Sequence, residues 1–380
     1  MKWPEGNVLK SLSLHAIDAE IFPSSFFGKS MNGEEISIGS GLLALQIPDP
    51  SQPIRKSSSF EGGLPVNFNR YRTRVLDVAL GDPSAPLISL RKSEGSFTSR
   101  NQNGLPQLGL YKGDLTIDGW PKLRLDRALF EFRGEETDIS SFRMLQEKDE
   151  RGSFELSGTI SPYKPQQLAS LAVSLESFQI SGITGPAMGR LVSGRIDSQP
   201  TAKSNYLSFR PAANSAPKLD IAFRVAPTSK IEFLGFPFLF ALSQTIDDTW
   251  FEHPVFDSDA TGILHREAGV ISLRDINFES KGRLALRGEI SISANQTLSG
   301  SLEVGVAEAM IAASKAPRLR AMFGPPSEGF QWITLKIGGP AAAPTDNFKE
   351  LFSAASPAAP GSSSPPESSG STFEELTRPR

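Results

Sequence analysis

Three histidines, His15, His253 and His265, are all the imidazoles in a chain of 380 residues, and cysteine is absent. Thiolate nucleophiles, thiolate metal sites and disulfide frameworks are therefore excluded. The nearest approach to a metal-ligand set is His253…Asp257…Asp259…His265, two imidazoles and two carboxylates of the kind a divalent ion accepts. His253 precedes Pro254 in a loop, and His265 sits in the alternating run ATGILHREAG. Their spacing follows no ligand signature, so the expectation is surface polar residues, with no metal and no cofactor. A Ser–His–Asp triad would have to use one of the three histidines, and none stands beside a nucleophile elbow. The glycine motifs that cradle phosphates are missing as well. In Glu135-Glu136 and Asp247-Asp248, neighbouring side chains on a strand point to opposite faces and do not converge on a substrate. No catalytic residue is expected, and the chain reads as non-enzymatic.

A net charge of -3 and a pI near 5.8 exclude a globally basic nucleic-acid binder. Phe outnumbers the other aromatic types, with 25 Phe against 4 Tyr and 4 Trp. The markers are Phe22, Phe26, Phe27, Phe130, Phe132, Phe233, Phe236, Phe238 and Phe240. Phe has no polar handle and suits a dehydrated core, or a surface wetted by acyl chains. The most apolar run, Phe233 to Leu242, holds Gly235 and Pro237 and is about half the ~20 residues a membrane-spanning helix needs.

The elements that would position such side chains are strands. Period-two alternation recurs in SLSLHAI (11–17), VLDVAL (75–80), LTIDGW (115–120), LRLDRALFEF (123–132) and FELSGTI (154–160). It returns in LAVSLESFQI (171–180), LDIAFRV (219–225), VISLRDINF (270–278), LALRGEISI (284–292), LSGSLEVGV (298–306) and WITLKI (332–337). About 16 to 20 half-buried strands are predicted, a mainly antiparallel all-β chain with a few short helices. Helices are predicted at Pro165–Ala169, Phe236–Ile246, Ala307–Lys315 and Arg318–Phe323, with a capped turn at Asp346–Ala354. Strand-and-glycine patterns at LESFQISGITG and GRLVSGRID read as strands joined by tight turns. The sections are 1–200, a loop-like boundary at 201–217, a second β section at 218–352, and a Ser/Pro/Gly-rich tail at 353–380 read as disordered. Residues 51–63 also read as a loop.

Along 284–292, Leu284, Leu286, Ile290 and Ile292 share one phase, and Arg283, Arg287 and Glu289 the other. Along 298–306, Leu302, Val304 and Val306 form the matching apolar face. A long curved sheet with this face inward would leave an apolar groove wide enough for a hydrocarbon chain. These seven residues are the expected lipid-binding set. A charge at Leu286 or Val304 is then expected to leave the protein folded while blocking lipid occupancy.

The C-terminal third resembles the AsmA-like family of bacterial envelope proteins and its TamB-like relatives. The resemblance rests on Ser280-Lys281-Gly282-Arg283-Leu284-Ala285-Leu286-Arg287-Gly288, then Leu298-Ser299-Gly300-Ser301-Leu302-Glu303-Val304-Gly305, followed by Gly338-Gly339, Pro344 and Asp346. It covers roughly residues 150–352. The resemblance implies an elongated, taco-like antiparallel sheet with an apolar inner groove. It implies a periplasmic location with an inner-membrane anchor, and a role in moving or organising phospholipid or another membrane lipid between inner and outer membranes. Strand-like residues follow Met1 directly, so the expectation is that the natural chain starts further upstream. Two other readings remain. One is a scaffold for outer-membrane assembly that works with envelope assembly proteins and carries no lipid. The other is a β-rich carbohydrate-active enzyme, whose carboxylates would lie about 5–10 Å apart in a cleft and for which few stacking Trp and Tyr are present.

Overall fold

The computed structural model describes residues 7–27, 30–48, 66–82, 84–199, 205–211 and 216–355. The loop expected at 51–63 and the tail beyond residue 355 lie outside them. Strand accounts for 59% and helix for 14%, an all-β chain against a usual strand share of about 20–25%.

The first strands are β1 (Leu9–Ile21), β2 (Met31–Leu45), β3 (Val66–Asp82) and β4 (Ala85–Thr98), with a 3-10 turn at Pro23–Phe27 between β1 and β2. Next come β5 (Gln107–Tyr111), β6 (Asp114–Ile117), β7 (Leu123–Arg133), β8 (Glu136–Gln146), β9 (Asp149–Ile160) and β10 (Ala169–Glu176). Then β11 (Phe178–Gln179), helix α1 (Ser181–Gly189), β12 (Val192–Ser198), β13 (Tyr206–Phe209), β14 (Lys218–Val225) and β15 (Ile231–Phe233) lead to α2 (Pro237–Ile246). The chain continues through β16 (Val255–Phe256), β17 (Asp259–Glu267), β18 (Val270–Ser280), β19 (Leu284–Ile292) and β20 (Leu298–Ala307). It closes with α3 (Glu308–Ala313), α4 (Pro317–Met322), β21 (Pro326–Ser327), β22 (Phe330–Gly338), β23 (Thr345–Asp346) and α5 (Phe348–Ala354).

Pairing is a long meander. Each of β7 to β10 bonds to its predecessor; β13 then joins β10 to β14; and β14, β17, β18, β19, β20 and β22 follow edge to edge. All pairings are antiparallel except β2 with β3. Nine of the eleven alternating runs named above fall within one strand; LTIDGW leaves β6 at Ile117 for a turn, and LAVSLESFQI is split between β10 and β11. The excess over the expected count is made of two-residue strands such as β11, β16, β21 and β23. The segment read as a loop-like boundary holds β13, whose bonds to both β10 and β14 carry one sheet through it.

Two local expectations need correction. Residues 165–169 form turns rather than a helix, with Ala169 already in β10. The run SGITGPAMG is α1, not a strand pair; Gly185, at φ 76, kinks it. Glycine and Pro186 argued against a helix there, but burial of Ile183 and Met188 at 0% exposure outweighs that weak propensity. The helices expected at 236–246, 307–315, 318–323 and 346–354 correspond to α2, α3, α4 and α5.

One hydrophobic cluster runs from Leu76 on β3 to Phe348 on α5. Two glycines of the C-terminal motif are fixed by close approach. Gly288 has φ 123, and a Cβ there would stand 2.2 Å from the Ser301 carbonyl oxygen. At Gly305 a Cβ would stand 2.9 Å from the Trp332 ring. No helix among the described residues is long and apolar enough to cross a membrane.

Candidate functional site

The register sets the seven expected groove residues side by side. Leu284 lies opposite Val306, Leu286 opposite Val304, and Ile292 opposite Leu298. Leu302 faces Gly288, in the same phase. The strands do form one apolar wall, but it is not an open groove. All seven side chains are between 0% and 1% exposed. They share a cluster with Phe238, Leu239 and Leu242 of α2, Ile311 of α3, Leu319 of α4 and Phe348 of α5. The chain's own helices occupy the place assigned to acyl chains. Strand alternation identifies an apolar face without saying what covers it.

One carboxylate pins two of those helices. Phe238 N donates to Asp346 Oδ2 at 2.7 Å, and Phe348 N donates to Asp346 Oδ1 at 3.0 Å. The N-cap of α2 is Phe236, which has no side-chain acceptor, so Asp346 serves the unsatisfied amides at both helix starts. Asn347 is engaged elsewhere, its Oδ1 accepting from Lys336 N at 2.9 Å. Ser314 Oγ donates to Thr245 O at 2.8 Å and ties the α3–α4 link to α2.

Towards the N-terminus the same wall loses its cover. Leu43, Val78, Ile88, Leu108, Phe130 and Phe142 pack against the continuous core yet are only half-buried. On β1–β3, Ile17, Leu42 and Val75 are between 44% and 57% exposed. The Phe markers divide accordingly. Phe233, Phe236 and Phe238 are buried, with the first two rings stacked at 4.5 Å, whereas Phe22, Phe27 and Phe240 are exposed.

The histidine–carboxylate set does not assemble, and no group able to hold a metal ion occurs among the described residues. Asp259 instead pairs with Lys281 at 3.5 Å. His265 Nδ1 lies 2.7 Å from Asp220 Oδ1 on the neighbouring strand, and its Nε2 lies 3.6 Å from Glu267. Lys218 Nζ stands 3.1 Å from Asp220 Oδ2. Burial pushes the Asp220 carboxyl up, but hydrogen bonding with His265, Lys218 and Tyr206 holds it below the ordinary value of 3.8. Ser272 pairs with His265 in the register of β17 and β18, but its Oγ accepts from Arg274 Nε at 3.1 Å. The Asp220–His265 contact links residues 45 apart in sequence, and only the cross-strand register could have revealed it.

Another buried cation lies on the core side. Arg266 donates to the carbonyls of Ile183 and Gly119 and stacks 4.5 Å from the Trp120 ring. Burial pushes its pKa below the ordinary guanidinium value. These bonds clamp α1 and the turn after β6 onto β17. A shallow cleft of about 280 Å³ beside them is lined by Lys122, Gln146, Glu147, Lys148 and Asp149, side chains of both charges with no convergent set. What the arrangement offers is apolar surface, buried at one end and half-buried at the other. No family model matches the chain, and neither a curated protein nor a solved structure matches it.

Proposed function

We propose that the protein is a non-enzymatic component of a bacterial envelope that binds and moves, or organises, lipids between membranes. The observation that supports this is the apolar wall on β2 to β8, where Leu43, Val78, Leu108 and Phe130 continue the core but stay only half-buried. In this reading the strands curl lengthwise into a trough, and acyl chains take at the N-terminal end the place that α2 to α5 take at the C-terminal end. Periplasmic residence and an inner-membrane anchor belong to the same proposal, as does phospholipid or another membrane lipid as cargo. The scaffold reading has its own support in the exposed Ile17, Leu42 and Val75 of β1–β3, since exposed apolar patches mark protein or membrane contacts.

Native mass spectrometry of protein purified from membranes tests the proposal. Bound lipid is expected in the unmutated protein and lost in soluble, folded Leu43→Glu and Leu108→Glu variants. Lipid-free protein after incubation with a total lipid extract would leave the scaffold reading in its place.

A further inference from the structure

No large apolar side chain among the described residues is more exposed than Phe27, at 96%, in the turn between β1 and β2. Phe22 at 46% and Met31 at 37% flank it in the same hairpin. None of the three belongs to an apolar cluster of the fold. The turn that carries them is braced from within. Phe22 N donates to Asn32 O at 2.8 Å, and Ser25 N donates to Phe22 O at 2.9 Å. The Ser25 hydroxyl donates to Asn32 O at 3.1 Å and accepts from Asn32 N at 2.9 Å. Asn32 Oδ1 in turn accepts from Ser30 Oγ and from Asn67 Nδ2 of β3, at 3.2 and 3.1 Å.

These bonds close much of the turn's polar backbone on itself, and Pro23 has no N–H to satisfy. Polar groups already paired can leave water without losing a partner. The charge pattern agrees. From Ile21 to Gly33 the sequence holds one charged residue, Lys29, and no carboxylate. Charges of both signs return just below, with Glu20 on β1, Glu34 and Glu35 on β2, and Arg70 of β3 beside Glu35. At about 3.3 Å per strand residue, Glu34 lies about 10 Å along the chain from Met31. That is the depth to which interfacial segments seat, about 5–10 Å into the boundary between headgroups and acyl chains. The mixed charges then fall at the level of the headgroups.

We infer that the β1–β2 turn is a membrane-docking tip, with Phe22, Phe27 and Met31 seated in the interfacial layer of a phospholipid bilayer. A protruding turn bonded to itself offers a protein partner few polar groups to recognise, whereas a lipid surface asks only that those groups be satisfied. Phenylalanine, with no polar handle, suits such a medium. This goes beyond the lipid-handling reading, because attachment through the tip needs no lipid on the apolar wall.

The test is co-flotation of the full chain with phosphatidylcholine vesicles. Taking one Phe side chain out of water is worth about tenfold or more in partition. Phe27→Ser should therefore weaken vesicle binding about tenfold and leave the urea midpoint unchanged, since the ring is almost fully exposed. Leu87, 46% exposed near the far end of β3 from the turn, supplies the control. Leu87→Ser should have no effect on flotation, and equal losses in the two serine variants overturn the tip. Phe27→Trp should keep binding, and its added emission should be quenched by dibrominated phosphatidylcholine, unlike that of Leu87→Trp; floated Phe27→Trp that is not quenched overturns the seating. If the unmutated protein does not float but forms a dimer that Phe27→Ser breaks in sedimentation, the turn is a contact between copies and the membrane tip is overturned. Native mass spectrometry of the same preparations keeps the two readings apart. Lipid carried by a protein that does not float overturns the tip alone. Flotation lost in Phe27→Ser, by a protein that carries no lipid, upholds the tip and overturns the lipid-handling reading alone.

Discussion

Leu286 decides whether the C-terminal wall is a core or a groove. It is 0% exposed, with Phe278 opposite on β18 and Val304 opposite on β20. Truncation to alanine removes the side-chain carbons beyond Cβ, about 2.4 kcal/mol of transfer free energy at ~0.8 kcal/mol per carbon. The cavity left behind adds to this, giving a total of about 3–4 kcal/mol. Glutamate in the same place buries an unpaired charge and costs several kcal/mol more. Against a total stability of about 5–15 kcal/mol, Leu286→Ala should fold with a clearly lower urea midpoint. Leu286→Glu should be insoluble or molten, reversing the expectation drawn from alternation alone. Val304→Glu should behave like Leu286→Glu. Urea titration followed by near-ultraviolet circular dichroism and tryptophan fluorescence reads both. A soluble, cooperative Leu286→Glu variant with a midpoint close to that of the unmutated protein would show that α2 and α5 yield easily, and the sealed-core argument would fail.

Two further outcomes follow from side chains that the strands bring together. Asp346→Ala removes charge-assisted bonds to Phe238 N and Phe348 N, each worth about 1.5–3 kcal/mol, so hydrogen exchange at α2 and α5 should accelerate more than exchange in β7 or β8; equal acceleration everywhere would deny Asp346 its local role. Because Asp220 is held below 3.8 in the folded protein, its contribution to stability is complete above that value and is lost as pH falls through the lower, folded value. The unmutated protein should therefore lose more stability than Asp220→Asn between about pH 4 and about pH 2, and parallel pH profiles would refute the assignment.

The strands were legible because their burial repeats every second residue. LALRGEISI and LSGSLEVGV put Leu286 beside Val304 as alternation required. The helix α2 was legible from an apolar run with proline in its first turn, and α5 from Asp346. What alternation could not supply was depth. Leu286 and Leu108 look alike in sequence, but one is fully buried and the other only half-buried. The same limit hid Asp220 with His265, whose contact follows from β14 lying against β17 across the intervening α2 segment. Helix α1 was missed because glycine-rich runs in this chain usually mark strand ends, and the burial that overrides them is tertiary.

Apolar contact on the half-buried wall would hold a lipid only weakly. About ten methylenes leaving water at ~0.8 kcal/mol each supply about 8 kcal/mol. Association costs at least ~4 kcal/mol in lost freedom, so apolar contact alone reaches about millimolar affinity. That contact is nearly blind to lipid type, because acyl chains differ little from one another. Raising ionic strength should then leave this weak, headgroup-independent binding in place, because salt screens charge and not apolar contact.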